Sequence, residues 1–199
     1  MEIVIASTNA HKIQEYNEMV KGYQIKFLSL NDINFKDEII EDGKTFKENS
    51  LIKAKTIALK TSLDVLSDDS GIIIENLGVN FPGIYSHRYA LENGGQVNLN
   101  KSLINKVAGS KAYFVCVLTF IHEGKVYQFE GKFNGKIANY VSTENGFGYD
   151  PIFIPDGYNK TVSELDPKIK NAISHRSIAF NKFLNFLKEN NLLLKSFSK

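Results

Sequence analysis

The sequence predicts an α/β fold built on a mixed central sheet with flanking helices. Strand and helix patterns alternate over residues 3–74, a hairpin pattern occupies residues 113–133, and an amphipathic helix pattern begins near Ser174. Helices between strands favour parallel pairing, whereas a hairpin requires antiparallel pairing, so the sheet should be mixed. We expect residues 1–199 to form a single domain, because no repeat or Pro/Gly-rich linker interrupts them.

The first elements follow from apolar spacing. Ile3–Ala6 is a continuous apolar run that is typical of a buried strand. From Lys12 onward apolar residues recur at helical spacing until Gly22, which ends the predicted helix. A second strand is predicted over residues 25–30, and Asp42-Gly-Lys-Thr45 predicts the start of a long helix.

The middle of the chain returns to strand patterns. Asp64–Ser67 predicts a short strand, Asp68-Asp-Ser-Gly71 a turn, and residues 72–74 an extended continuation. Residues 78–95 are rich in turn formers and predict a loop. A helix is predicted next, over residues 96–107.

The second half of the chain begins with the hairpin. Its strands are predicted over residues 113–121 and 126–133, and a short strand is predicted over residues 152–154. Two helix starts follow. An acidic N-cap with proline at the first helical position marks Asp166-Pro167, and Ser174 is a second N-cap.

The composition excludes several classes of protein. A net charge of +2 is too small to predict a nucleic-acid-binding surface. The only cysteine, Cys116, cannot form a disulfide within the chain or a cysteine-rich zinc site. The longest apolar stretch, residues 112–121, is too short to span a membrane, and no secretory signal pattern opens the sequence. We therefore expect a cytosolic protein that binds neither nucleic acid nor membrane.

The first candidate site is Ser7-Thr-Asn-Ala-His-Lys12, between a predicted strand and a predicted helix. The start of a helix presents free backbone N–H groups to an anion, and Lys12 adds a positive charge. The Gly-x4-Gly-Lys-Ser/Thr pattern of a P-loop is absent. Taken alone, the segment fits either a phosphate-binding loop or a capped helix start with an exposed lysine.

The second candidate group is acidic and comprises Glu38, Glu41, Asp42, Asp68, Asp69 and Asp150. Magnesium prefers carboxylate oxygens together with phosphate and water. Asp69, beside the predicted turn, could face a cleft and act as a metal ligand or general base. We interpret Glu38, Asp42 and Asp68 as helix-entry or turn acids.

Two further segments carry chemistry. Phe147-Gly-Tyr-Asp150 could stack an aromatic ring on a base, although alone it fits a glycine-rich turn with core aromatics. Lys170, His175 and Arg176 are donors that suit carbonyl or phosphate oxygens, although alone they fit a capped helix start with solvated basic residues equally well. The chain has only two arginines, Arg88 and Arg176, and each lies within a Ser-His-Arg tripeptide. Either these are positions where lysine could not replace the planar guanidinium, or the repetition is a coincidence.

Six motifs occur together in one order: Ser7–Lys12, Glu41–Asn49, Asp68–Gly71, Pro82–Ser86, Phe147–Pro151 and Ile173–Arg176. In this order they resemble the inosine/xanthosine triphosphate pyrophosphatases, over nearly the whole chain. The resemblance implies an elongated mixed sheet and two lobes around a nucleotide cleft. It also implies Mg²⁺ dependence and a cytoplasmic homodimer.

The resemblance also implies residue roles. The triphosphate would be bound by Ser7, Thr8, Asn9, Ala10, His11 and Lys12. The rest of the nucleotide would be bound by Ser70, Phe147, Gly148, Tyr149, Asp150, Lys170, His175 and Arg176. Glu41 and Asp69 would be the magnesium ligands, and Asp69 would also accept a proton. Thr8 and His11 depart from the family loop, which usually has glycine at the first of these positions and often at the second.

The expected activity is therefore hydrolysis of ITP, dITP and XTP to the monophosphate and pyrophosphate. Lys170, His175 and Arg176 would donate hydrogen bonds to the purine 6-oxo group, and the 6-amino group of adenine, itself a donor, would be disfavoured. Two alternatives stay open from the sequence. One is a nucleotide-sensing module that binds without hydrolysis, and the other is a nucleic-acid-binding protein with a steep salt dependence.

Overall fold

The computed structural model describes residues 1–193, except for the side chains of Ala10 and His11. Its strands are β1 (Glu2–Ile5), β2 (Lys26–Leu28), β3 (Asp64–Ile74), β4 (Lys111–His122), β5 (Lys125–Ile137) and β6 (Phe153–Pro155). Its α-helices are α1 (Ala10–Met19), α2 (Phe46–Ala58), α3 (Ser86–Glu92), α4 (Gln96–Lys106), α5 (Pro167–Ile173) and α6 (His175–Glu189). No helix among the described residues is long and apolar enough to cross a membrane.

The strands form one mixed sheet in the order β2-β1-β3-β4-β5-β6. β1 pairs in parallel with β2 and with β3, whereas β5 and β6 pair antiparallel. The β4–β5 hairpin turns at Glu123-Gly124, both of which have positive φ. The predicted α/β class and mixed sheet are confirmed.

The predicted helix starts are also confirmed. Thr45 is the N-cap of α2, and its Oγ1 accepts a hydrogen bond from the N–H of Glu48 at 3.1 Å. Asp166 caps α5 in the same way, through the N–H of Lys168 at 2.7 Å. Ser174 separates α5 from α6, which begins at His175.

Two predictions in the middle of the chain are wrong. The segment from Asp68 to Gly71 is not a turn, because β3 continues through it without interruption from Asp64 to Ile74. Residues 78–95 are not a plain loop, because they include a short 3-10 turn and then α3. Ser86 is therefore the first residue of a helix rather than part of a loop, and its hydroxyl donates to the carbonyl of Gly83 at 2.6 Å.

Because β1 is shorter than β3, it leaves one backbone edge of the middle of β3 without a partner in β1. The register pairs Ile3 with Asp64 and Ile5 with Leu66, and the N–H of Ala6 makes the last bond to Leu66. Beyond Leu66, this edge of β3 has no further partner in β1, because β1 has ended. The next residues of β3 therefore lie beside the loop that follows β1.

The chain divides into two compact units. Unit 1 comprises Met1–Asp69, Val117–Glu130 and the described chain from Arg176 onward, and unit 2 comprises Ser70–Cys116 and Gly131–His175. The core of unit 1 is formed by Val4, Ala6, Leu30, Phe35, Ala54, Ile57, Val65 and Ile121. The core of unit 2 includes Ile72, Leu99, Leu103, Phe114, Ile152 and Phe153.

Candidate active site

The loop after β1 ends in a side-chain cap. Asn9 Oδ1 accepts a hydrogen bond from the N–H of Lys12, and Ser7 Oγ accepts one from the N–H of Asn9. Asn9 thus precedes α1 as its N-cap. Ala10 and His11 lie in the first turn of α1, where backbone N–H groups are available to an anion. Thr8 is exposed in the same loop.

Asp68 is a buried anion beside this loop. Its side chain is 1% exposed, and Lys12 Nζ lies 2.7 Å from its Oδ2. Burial raises the pKa of this carboxyl, but the charges of Lys12, Arg176 and Lys53 outweigh burial and lower the pKa to about 2. The interpretation of Asp68 as a turn acid is therefore wrong, because it is the permanent counterion of this cluster.

Asp69 has the opposite electrostatic environment. Its side chain is 14% exposed, and Lys53 Nζ lies 3.6 Å from its Oδ1. Burial raises its pKa, the charge of Lys53 opposes this, and the nearby carboxylate of Glu41 adds to it, so that the pKa is about 6. Asp69 Oδ2 is buried and has no hydrogen-bond partner among the described residues. Such an oxygen is available to a metal, a water or a substrate.

Strand periodicity explains why neighbouring carboxylates differ so strongly. Successive side chains of a β-strand point to opposite faces of the sheet. Asp68 lies with Lys12 of α1, whereas Asp69 lies with Lys53 of α2. One acid therefore has a close ion pair, and the other shares a more distant lysine with Glu41.

Lys53 joins the two predicted metal ligands. Its Nζ lies 2.8 Å from Glu41 Oε2 and 3.6 Å from Asp69 Oδ1, and its side chain is 11% exposed. Burial lowers its pKa, but the charges of Asp68, Asp69 and Glu41 raise the net value above that of a free lysine. Lys53 therefore stays charged between these carboxylates.

The loop that carries Glu41 is fixed to α2 by a close backbone approach. The N–H of Gly43 donates to Asn49 Oδ1 at 2.9 Å, and Asn49 is buried. A Cβ on Gly43 would lie 2.6 Å from the same Oδ1 and 2.8 Å from the Cβ of Glu48. Any side chain at Gly43 would displace the loop, so glycine is required for the placement of Glu41.

Arg176 is the third cation of the unit 1 cluster. It is the second residue of α6, is buried, and forms an ion pair with Glu15 of α1. Its charge also lowers the pKa of Asp68. The guanidinium is therefore engaged with acids of unit 1, and its predicted role in binding the base remains a prediction.

In unit 2, Phe147-Gly-Tyr-Asp150 forms a turn. Gly148 has φ +55°, and its carbonyl accepts a hydrogen bond from Asn100 Nδ2 at 3.0 Å. Tyr149 is buried and its hydroxyl donates to the carbonyl of Ser86 at 2.9 Å. Phe147 is 50% exposed. Of the two aromatic side chains, Phe147 is therefore the exposed one and Tyr149 the buried one.

Lys170 and His175 lie in the same unit. Lys170 Nζ is 2.6 Å from Asp150 Oδ2 and 5.9 Å from the centroid of the Phe147 ring. The His175 ring stacks on Phe114 with centroids 4.9 Å apart and an interplanar angle of 13°. Ser70 is the first residue of unit 2 and follows Asp69 in β3.

Arg88 has a different environment from Arg176. It is exposed on α3, with its guanidinium carbon 4.8 Å from the centroid of the Tyr85 ring. This is a cation–π contact at the surface, which contributes little to stability. The two Ser-His-Arg tripeptides therefore occupy unrelated environments.

The residues of unit 1 fit a magnesium ion that also binds phosphate. Glu41 and Asp69 both approach one cationic centre, Lys53 Nζ, and Asp69 Oδ2 is buried with no hydrogen-bond partner in the part of the chain that the structure describes. Within the described chain, no three His, Cys, Asp or Glu side chains form a group that could hold a metal alone. Two carboxylates completed by phosphate and water are a usual magnesium environment.

Lys53 and Glu15 belong to this cluster and are absent from the sequence-based prediction. Lys53 had a detectable signal. The buried face of α2 contains Asn49, Ser50, Ala54 and Ile57, and Lys53 lies within that stripe. A lysine in the buried stripe of a helix needs acidic partners. Glu15 gave no such signal, because a glutamate on an exposed helix is ordinary.

The fold and this cluster define an α/β protein with acids and lysines gathered where β1 ends beside β3. The profile of the Ham1 family matches residues 3–186, and the chain belongs to that family. It is 39% identical over 192 residues to the dITP/XTP pyrophosphatase of Thermoanaerobacter pseudethanolicus, covering 94% of this chain and 96% of that protein. It is 42% identical over 197 residues to the dITP/XTP pyrophosphatase of Borrelia duttonii, covering 93% and 96%. The structure of a HAM1 protein from Coxiella burnetii is similar, with a TM-score of 0.86, 36% identity, and coverage of 95% of this chain and 99% of that one.

Proposed function

We propose that this protein hydrolyses the non-standard purine nucleotides ITP, dITP and XTP to the monophosphate and pyrophosphate. One observation carries the proposal: Asp69, beside Lys53 and Glu41, is a buried carboxylate with a pKa of about 6, and its Oδ2 has no hydrogen-bond partner over the described residues 1–193. A general base needs a pKa near the working pH. The relatives named dITP/XTP pyrophosphatases supply the substrate class.

In the proposed reaction, water attacks the α-phosphorus of the triphosphate. A new P–O bond forms, the bond between the α-phosphorus and the bridging oxygen breaks, and pyrophosphate leaves with that electron pair. Asp69 accepts the proton from water. Lys12 and the first N–H groups of α1 bind the oxygens of the departing pyrophosphate and stabilise its developing charge.

We propose Mg²⁺ as the cofactor, held by Glu41 and Asp69 together with phosphate oxygens. When bound, it would supply positive charge that neutralises the triphosphate and favours the ionised state of water. Before substrate arrives, Lys53 offsets the repulsion between the two carboxylates, because its ammonium group contacts both. When substrate is bound, the positive charge of Lys53 would also partly neutralise the negative charge of the triphosphate.

Base selectivity is proposed for donors of the second half of the chain. The Lys170 ammonium has three N–H groups, of which one is directed at Asp150. Another can donate to a purine 6-oxo group, whereas the 6-amino group of adenine presents only donors to it. Phe147 is proposed to stack on the base, and His175 and Arg176 are proposed as further donors.

The remaining parts of the proposal concern assembly and location. We propose that residues 1–199 act as a single catalytic domain, because each compact unit is built from separated segments of the chain. A cytoplasmic homodimer is proposed from the family resemblance.

The decisive experiment incubates the protein with Mg²⁺ and a panel of ITP, XTP, dITP, GTP and ATP. Pyrophosphate and orthophosphate are assayed separately. We expect pyrophosphate from the first three nucleotides, little from ATP, and no orthophosphate. Asp69→Asn should lose this activity, and the exposed control Asp156→Asn should keep it. Thermal stabilisation by ITP with no phosphate product would instead support a nucleotide-sensing module.

A further inference from the structure

A buried hydroxyl network joins α2, β3 and β4, the first two of which carry Lys53 and Asp69. Ser50 of α2, Ser67 of β3 and Thr119 of β4 are all 0–1% exposed. Ser67 Oγ donates to the carbonyl of Ser50 at 2.6 Å, and Ser50 Oγ donates to Thr119 Oγ1 at 2.7 Å. These three polar side chains join one helix and two strands inside unit 1.

The network continues to the start of α2 through Gln128. Its Nε2 donates to Thr119 Oγ1 at 3.0 Å and to the carbonyl of Lys47 at 2.9 Å. Thr119 Oγ1 thus accepts from both Ser50 and Gln128. Within the described chain, the Thr119 hydroxyl bonds to Ser50 and Gln128 rather than to the charged cluster, so its effect on Lys53 and Asp69 passes through α2 and β3.

The spacing of the residues links the network to the site. Ser50 and Lys53 are three residues apart on α2, so they share one face of the helix. Ser67 and Asp69 are two residues apart on β3, so they share one face of the strand. The Ser50–Ser67 contact and the Lys53–Asp69 contact are therefore successive contacts along the same helix–strand packing. A shift at the first contact moves the second.

The number of hydroxyl protons shows which hydrogen bonds hold this packing together. Each hydroxyl has one proton, and those of Ser50 and Ser67 are used toward Thr119 and the Ser50 carbonyl. The 3.1 Å contact between Ser50 Oγ and Ser67 Oγ has no proton left for it in this arrangement. Thr119 Oγ1 is therefore the acceptor on which the position of Ser50 depends.

We propose that Ser50, Ser67 and Thr119 are positioning residues, which fix α2 against β3 so that Lys53 and Glu41 face Asp69. The inference rests on the proposed pyrophosphatase function for its kinetic readout. None of the three side chains touches substrate or metal in this proposal. Their effect on the reaction passes through the placement of the charged cluster.

The test uses two substitutions at Thr119 that differ in the hydroxyl. Thr119→Val keeps the shape and removes the acceptor, whereas Thr119→Ser keeps the hydroxyl and removes a methyl group. Ile57→Val, at a buried site of the same helix outside the network, is the control for general loss of packing. All three are assayed for pyrophosphate release from ITP well below their melting temperatures.

We expect Thr119→Val to lower kcat by about 10-fold or more with KM changed less than about threefold, because misplacement of reacting groups chiefly affects the transition state. Thr119→Ser and Ile57→Val should keep kcat within about twofold of the unmodified protein. Equal kcat for all variants, or equal losses in Thr119→Val and Thr119→Ser, would overturn the proposal.

Amide hydrogen exchange without nucleotide separates this inference from the proposed function. Thr119→Val should speed exchange in the first two turns of α2, and Thr119→Ser should not. If the unmodified protein releases no pyrophosphate from any nucleotide, the proposed function fails while exchange still tests the network. Unchanged exchange in Thr119→Val would overturn the positioning role in either case.

Discussion

The adjacent acids Asp68 and Asp69 should affect stability in opposite directions. Asp69 has a pKa raised from 3.8 to about 6. Below pH 3.8 both folded and unfolded chains carry its proton, so it contributes nothing. Between pH 3.8 and about pH 6 the unfolded chain loses this proton before the folded chain does, so the free energy of unfolding falls as pH rises. The penalty is complete above about pH 6 and amounts to about 3 kcal/mol at 1.36 kcal/mol per pKa unit.

Asp68 has the opposite sign. Its pKa is lowered from 3.8 to about 2, so its ionised form stabilises the folded chain above pH 3.8. That stability is about 2 kcal/mol, and it is lost only as pH falls through 2. Removing the charge of Asp68 therefore destabilises the fold, and removing the charge of Asp69 stabilises it.

The assay is urea unfolding of Asp69→Asn and Asp68→Asn in EDTA without nucleotide, at pH 7.5 and pH 4. At pH 7.5 we expect Asp69→Asn to gain up to about 3 kcal/mol and Asp68→Asn to lose about 2 kcal/mol or more. At pH 4 the gain of Asp69→Asn should shrink to well under about 1 kcal/mol, while the loss of Asp68→Asn persists. If Asp69→Asn is no more stable than the unmodified protein at pH 7.5, the electrostatic reasoning is wrong.

Four further predictions concern the same cluster. Lys53→Met should lower kcat for pyrophosphate release from ITP by about 100-fold or more, because the charge beside Asp69 is lost; an unchanged kcat would exclude that role. The Cβ of Gly43→Ala would meet Asn49 and displace the loop that carries Glu41, so this variant should need a higher Mg²⁺ concentration for half-maximal activity. Its activity should still reach a plateau as Mg²⁺ is titrated. Arg176→Lys should cost about 1–3 kcal/mol in urea unfolding and be less than additive with Glu15→Gln, whereas strict additivity would contradict their coupling. At low Mg²⁺, kcat/KM should fall as pH drops through about 6 because Asp69 becomes protonated, and this limb should move to lower pH as Mg²⁺ rises.

Local patterns predicted most of the fold. The caps at Thr45 and Asp166, the hairpin, and the helices after Gly95 and Ser174 all depend on interactions within a few residues. Such short-range signals are present in the sequence itself. The helix over Ser86–Glu92 was missed because its start has no side-chain cap and follows a 3-10 turn rich in loop-forming residues.

The error at β3 had a different cause. Asp-Asp-Ser-Gly has turn composition, and carboxylates inside a strand are unfavourable unless they are paired. The cations that pair with them lie far away in sequence, at Lys12, Lys53 and Arg176. No local pattern reports those contacts, so the sequence could indicate that Asp69 was unusual but not that both acids lie in mid-strand.

The placement of both acids in one strand has a chemical consequence. In a turn, two adjacent carboxylates could reach the same cation and would titrate as similar groups. In β3 they lie on opposite faces, so Lys12 and Arg176 keep Asp68 ionised while burial and Glu41 keep the pKa of Asp69 near neutrality. The short β1 makes this arrangement accessible, because it leaves the edge of β3 beyond Leu66 beside the loop that precedes α1. A strand that is longer than its neighbour thus carries a fixed anion and, one residue away, a carboxyl group whose pKa is close to neutrality.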